Sequence, residues 1–216
     1  MTFAAYITED VRDLFLPAAC ASCRSAPAAG GGLCADCAAD LSALHPVLAT
    51  PPHPDPPVVA GGPYAGALAE ALNEYKERAR RELASAFGSL LGRALAVVTV
   101  EVPDAVLVPI PPTRAARRSR GFDHVAVACA GLGEVRPCLR ARPRPDSVGL
   151  TPVQRQAAAR RSLHVDRRRA AALAATGRPA ILVDDIVTTG ATFNAAARAL
   201  REAGVIVPAA IAIAAA

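Results

Sequence analysis

The strongest constraint on this chain lies in its last forty or so residues. RPAILVDDI is an apolar run closed by acids, ATFNAAARALREAG has helical periodicity, and VIVPAAIAIA is a second apolar run. Apolar runs without alternation read as strands buried on both faces. Strand, helix and strand at this spacing form a βαβ unit, which requires a parallel sheet with helices on its faces. AVLVPI, residues 105–110, is a third run of the same kind, stopped by Pro111 and Pro112. The fold class expected is therefore α/β.

Composition says how such a sheet must be packed. Of 216 residues 52% are hydrophobic, but aromatics are only 4% and Trp is absent. Ala, with Leu and Val, supplies the apolar mass, so elements must approach closely through small side chains. That apolar fraction excludes a disordered chain.

Upstream, residues 1–16 read as a short amphipathic helix with Phe3, Ile7, Val11 and Leu14 on one face. Glu9, Asp10 and Asp13 interrupt it and no basic segment precedes it, so it is expected to be neither a signal peptide nor an anchor. No window reads as the roughly 20 apolar residues of a membrane span. A cytoplasmic protein without membrane insertion is expected. Residues 45–59, with Pro46, Pro51, Pro52 and Pro54, read as an extended linker. The expected organisation is an N-terminal module over 1–45, a linker over 46–60 and a main domain over 61–216.

Within the main domain, Leu68, Leu72, Tyr75, Ala79, Leu83, Phe87, Leu90 and Leu95 recur at helical steps, with a break near Lys76–Arg80. After Pro112 a polar Arg-rich loop is expected, then a helix from about 122 to 132. Residues 136–170 read as a partly ordered flap, with one helix around 152–160.

Cys20, Cys23, Cys34 and Cys37 form C-x2-C-x10-C-x2-C. In a reducing compartment two such knuckles offer four thiolates to one tetrahedral Zn²⁺. Two disulfides or an iron–sulfur cluster would suit the same spacing. Four thiolates close the coordination shell, so a zinc here would be structural. Cys129 and Cys138 read as ordinary buried thiols.

The segment that carries chemistry is ILVDDIVTTGAT, residues 181–192. Asp184 and Asp185 arrive at the C-terminal end of a strand, where open α/β sheets bind ligands. Thr188, Thr189, Gly190, Ala191 and Thr192 can present backbone N–H groups and hydroxyls to a phosphate at a helix N-terminus. Carboxylates would repel that phosphate, so they must face something else. A sugar phosphate reconciles the two halves, with the phosphate in the Thr/Gly turn and hydroxyls toward the acids.

VDDIVTTGAT resembles the phosphoribosyl pyrophosphate (PRPP) signature of type I phosphoribosyltransferases. The four cysteines, VPIPPTRAARRSRGFDH at 108–124 and DSVGLTPVQR at 146–155 together resemble the ComF family of competence-associated proteins (ComF/GntX-like) over nearly the whole chain. The resemblance implies a type I phosphoribosyltransferase-like parallel sheet flanked by helices, with a small N-terminal zinc finger. It implies that Asp184 and Asp185 act catalytically on the ribose hydroxyls, and that Val187 to Thr192 hold the 5-phosphate. Thr113 and Arg114 would form the pyrophosphate loop. Arg117, Arg118 and Arg120 would lie on a mobile flap, and Arg155 matches the downstream motif. Mg²⁺ would accompany PRPP. The chain departs from the pattern at Asp123–His124 (commonly Asn-Gln), at Ser147 (commonly Gln) and at Ala158 (Asn expected). No base for an incoming nucleophile stands out. His124 is the best-placed candidate, though a capping or solvated loop position is the simpler reading. For Lys76, the only lysine, a solvated helix position is likewise the simpler reading.

Three functions are compatible with these readings: a phosphoribosyltransferase linked to competence and DNA uptake, a non-catalytic single-stranded-DNA-binding uptake factor, and a PRPP sensor. The resemblance also implies a helicase-like competence partner. The formal net charge of +5 is unevenly spread: residues 114–169 carry fourteen arginines and four acids, a local +10. That placement favours a polyphosphate partner. Only Phe122 among aromatics falls in the same stretch, which disfavours base stacking there.

Overall fold

The computed structural model describes residues 19–141 and 163–216. The helix expected over 1–16, the helix around 152–160, and Arg155, Ser147 and Ala158 lie outside the described residues.

A five-stranded, mostly parallel sheet forms the centre, in the order β1-β2-β7-β6-β3. The strands are β1 Val47–Ala49, β2 Val58–Ala60, β3 Val106–Pro109, β6 Ala180–Val187 and β7 Ala209–Ala215. β1 joins β2 antiparallel; the pairings β2–β7, β7–β6 and β6–β3 are all parallel. β4 Leu139–Ala141 and β5 Leu163–Val165 form a separate antiparallel pair. The α/β class with helices on both faces is as expected. The proline-rich stretch 46–60 supplies two strands of the sheet rather than only connecting segments. Its prolines stand outside Val47–Ala49 and Val58–Ala60, so both strands keep their N–H groups. Pro208 likewise delays β7, which begins at Ala209.

The helices are α1 Ala35–Ala43, α2 Gly66–Glu77, α3 Ala84–Thr99, α4 Arg114–Arg120, α5 His124–Ala128, α6 Arg167–Ala174 and α7 Ala191–Glu202. The break expected near 76–80 is present: α2 ends at Glu77, and a 3-10 turn at Arg81–Leu83 leads into α3. Ala79 there takes a positive φ of 53°. The Arg-rich stretch is a helix, not the expected loop. Thr113 accepts from the Ala116 N–H as N-cap, and Gly121, at φ 74°, closes the helix in the left-handed region. Asp123 then caps α5 through the Ala126 N–H. The caps Thr113 and Gly121, eight positions apart, thus outweigh the density of like charge on α4.

One core lies on each face of the sheet. Leu107, Ile181, Val183, Ile211 and Ile213 pack against Leu72, Tyr75, Phe87 and Leu91 of α2 and α3. Val106, Val108, Leu182, Ala210 and Ala212 pack against Phe193, Ala196 and Leu200 of α7 and Leu173 of α6. The alanines on this second face let α7 lie close to the sheet. Each large side chain buried in this way contributes roughly 1.5–3 kcal/mol.

The cysteine module shares the first core, where Cys20, Leu33, Cys37 and Leu41 join Leu68, Leu72 and Phe87. Polar contacts reinforce the seam. Arg80 donates to the carbonyls of Ala19 (3.1 Å) and Gly32 (3.4 Å), and Arg93 donates to that of Leu41 (2.9 Å). Arg24 meets the buried Glu74 at 3.0 Å.

One helical stretch, Arg81–Thr99, is long and apolar enough by composition to cross a membrane, contrary to the expectation of no such window. In the fold its residues Phe87, Leu90, Leu91, Ala94 and Val98 are buried in the first core.

Candidate functional site

β3 and β6 pair as far as Pro109–Val183, with a last bond from the Ile110 N–H to the Val183 carbonyl at 2.8 Å. Beyond that point the two chains part. From β3 the chain runs through α4 and α5 to Val135, which bridges Leu107 on the outer side. From β6 it runs through α7 to β7 on the opposite side. Val125 and Ala128 of α5 belong to one face, and Phe193 and Ala196 of α7 to the other. The crevice between β3 and β6 is thus a topological switch point, where α/β sheets bind ligands.

A cavity of about 230 Å³ occupies this crevice. Lys76, Thr113, Arg120, His124, Asp184, Asp185 and Thr192 provide its polar lining, and Ile110, Ala141 and Leu163 an apolar wall. Of the residues singled out in the sequence, Asp184, Asp185, Thr113, Arg120 and Thr192 meet here. Arg114, Arg117 and Arg118 are exposed on α4 and do not line it. The Val187 side chain is buried in the second core, and its carbonyl accepts from the Ala216 N–H at 2.9 Å.

The turn after β6 leads directly into α7. Thr188 and Thr189 are exposed, and Gly190 forms the N-cap at φ 72°. A Cβ on Gly190 would stand 2.2 Å from the His53 carbonyl oxygen, so the position demands glycine on both conformational and steric grounds. The segment before β2 braces this turn: the His53 N–H donates to the Thr189 carbonyl at 3.1 Å. Thr189 Oγ1 accepts from the Ala191 N–H at 3.4 Å. The result is a fixed turn at the positive end of a twelve-residue helix.

Lys76 and His124 are not the solvated positions that sequence reading favours. Lys76 Nζ lies 2.9 Å from Asp185 Oδ2, and His124 Nε2 lies 2.6 Å from the same oxygen. Arg120 Nη1 stands 3.3 Å from His124 Nδ1. An arginine N–H can only donate, so Nδ1 accepts and Nε2 carries the proton given to Asp185. Tyr75, which sequence reading treated only as core, donates its hydroxyl to the His124 carbonyl at 2.7 Å. Two signals pointed here: the only lysine stands at a helix break, and a histidine directly follows RGFD.

The two adjacent acids titrate in opposite directions. Burial, and then the charge of Asp185, push Asp184 well above the usual carboxylate range. Burial also pushes Asp185 upward, but the His124 hydrogen bond and the Lys76 ammonium outweigh it and hold Asp185 below that range.

In the module packed against α2 and the turn that follows it, the sulfurs of Cys20, Cys23, Cys34 and Cys37 all lie within 4.8 Å of one another. Cys23 and Cys34 Sγ are 3.8 Å apart. A tetrahedral zinc with bonds of about 2.3 Å sets its ligand sulfurs about 3.8 Å apart, so the cluster is compatible with a structural zinc. Cys34 stands at the N-cap of α1 and Cys37 in its first turn, while the 3-10 turn Gly30–Gly32 leads the chain back to them.

Fold and site define the class: an α/β protein with a ligand crevice at the C-terminal edge of a mostly parallel sheet, and a four-thiol module packed against it. No family model matches the sequence. The chain is similar to competence protein ComFC of Bacillus subtilis (strain 168), with 31% identity over 145 residues, 65% of this chain and 56% of that protein. This chain thus spans little more than half the length of that curated relative. That similarity is in line with the ComF resemblance of the sequence motifs.

Proposed function

We propose that this protein binds PRPP, with Mg²⁺, in the β3–β6 crevice and acts as a phosphoribosyltransferase-type member of a competence system. The observation that carries the reading is the meeting of Asp184, Thr113, Arg120 and Thr192 in one cavity, beside a rigid Thr-Gly turn at a helix N-terminus. The 5-phosphate sits on the N–H groups of residues 188–192. The ribose lies toward Asp184 and Asp185, and the pyrophosphate toward Thr113 and Arg120. Asp184, at the cavity wall, is the protein group that could share the metal. Mg²⁺ keeps several waters, binds mainly through substrate oxygens, and neutralises the pyrophosphate when bound.

In transfer, the bond between C1 and the pyrophosphate oxygen breaks and the leaving group takes the electron pair. An acceptor then supplies a pair to C1 and gives up a proton. Charge on the leaving group is met by Arg120. The four-cysteine module holds a structural Zn²⁺ and serves the fold rather than the chemistry.

A second reading rests on Arg114, Arg117 and Arg118, exposed together on α4 at the rim of the crevice. Such a row suits a single-stranded DNA backbone. The two readings separate in thermal shift and retention assays. PRPP with Mg²⁺ should raise the melting temperature more than ribose 5-phosphate or pyrophosphate alone. No shift with PRPP, together with salt-dependent retention of single-stranded DNA, would favour the second reading.

A further inference from the structure

The adjacent acids have different surroundings. Asp185 Oδ2 takes two donors at once, Lys76 Nζ at 2.9 Å and His124 Nε2 at 2.6 Å. Both donors are themselves held. Arg120 donates through Nη1 to His124 Nδ1 and through Nε to the Lys76 carbonyl, and its Nη2 lies 3.7 Å from Glu77 Oε1. Tyr75 fixes the His124 backbone. One carboxylate oxygen thereby ties the end of α2, the end of α4 and the start of α5 to the end of β6. Among the described residues, the Asp184 side chain has a single hydrogen bond, from the Asp185 N–H to Oδ1 at 2.9 Å.

A sugar hydroxyl donating to Asp185 would have to compete with an ammonium and an imidazole N–H. Among the described residues, the same hydroxyl meets no side-chain donor hydrogen-bonded to Asp184. We propose that Asp184 is the acid that contacts the sugar, and that Asp185 is a positioning residue which, with Lys76 and His124, clamps three helix termini around the cavity. The Asp184 assignment rests on the PRPP reading; the clamp rests on geometry alone.

The test pairs two measurements on the full chain: PRPP binding by calorimetry with Mg²⁺, and urea unfolding without ligand. Asp184→Asn should weaken PRPP binding about tenfold, the upper end of a hydrogen bond's usual net weight, without lowering the urea midpoint. Asp185→Asn should lower the midpoint and weaken binding by much less. Lys76→Met should also lower the midpoint, and the double variant should lose less than the two single losses combined. His124→Leu should lower the midpoint, and His124→Gln, which keeps a donor, should restore most of it. Equal losses of PRPP affinity in Asp184→Asn and Asp185→Asn with unchanged midpoints would overturn the division of roles. Additive losses for Lys76 and Asp185 would overturn the clamp. A wild-type protein that ignores PRPP but retains the coupled midpoints would remove the PRPP reading and the Asp184 assignment, and leave the clamp standing.

Discussion

Lys76 Nζ and Asp185 Oδ2 lie 2.9 Å apart and join the last turn of α2 to the C-terminal end of β6. Their side chains are 22% and 12% exposed, so solvent screens the pair only in part. Removing one partner of such a pair leaves the other charge poorly solvated, at a cost of about 3 kcal/mol. Lys76→Met should therefore destabilise the protein by about that amount in urea unfolding. Lys76→Arg should restore part of it, because the charge remains while the single-point contact is replaced by a wider fork.

The opposite titration of the two acids predicts opposite pH dependences. Asp184 holds its proton in the native state above the ordinary value of 3.8, so the native state binds more protons than the unfolded chain across that window. Its contribution is favourable at low pH and is lost as pH rises through the raised value. Asp184→Asn should therefore stabilise the protein more at pH 8 than at pH 4. Asp185 runs the other way: its stabilisation is present above 3.8 and is lost as pH falls below it. Asp185→Asn should cost more at pH 7 than at pH 3. Urea midpoints across this range check both signs.

Gly190→Ala tests the anion turn separately from the acids. The new methyl would meet the His53 carbonyl at 2.2 Å, and the φ of 72° disfavours any side chain. Moving the turn should weaken PRPP binding by roughly tenfold, because the loop N–H groups no longer converge. The melting temperature should fall by a few degrees as the brace to the segment before β2 is lost. Calorimetry and thermal unfolding read the two effects.

The parts of the fold written as local patterns were legible in the sequence. Strand runs at 105–110 and 178–186, the break near Lys76–Arg80 and the Thr-Gly turn all follow from periodicity and breaker residues. What was missed depends on tertiary context. Val47–Ala49 and Val58–Ala60 are too short to carry a strand signal among prolines, and β2 becomes a strand because β7 offers it a partner. The α4 helix was hidden by its arginines, although Thr113 and Gly121 are ordinary caps. In the site, Asp184 and the turn were visible because they are contiguous. The contacts of Lys76 and His124 with Asp185 span 109 and 61 positions, and no local pattern encodes them.

The cysteine module should behave as part of one cooperative unit, because Cys20, Leu33 and Leu41 share a core with Leu72 and Phe87. Protein prepared without added metal should carry about one zinc per chain by elemental analysis. Chelation, or Cys34→Ser, should lower the melting temperature of the whole chain in a single transition rather than release a separate early one. Differential scanning calorimetry distinguishes the two.

The central claim is that the β3–β6 crevice is a PRPP site. Titration of the zinc-loaded protein with PRPP in the presence of Mg²⁺, followed by calorimetry, tests it most directly. The account predicts saturable binding near one equivalent per chain that is sharply weakened in Asp184→Asn. An absence of binding at millimolar PRPP by folded, zinc-loaded protein, or binding that Asp184→Asn and Gly190→Ala leave intact, would contradict it.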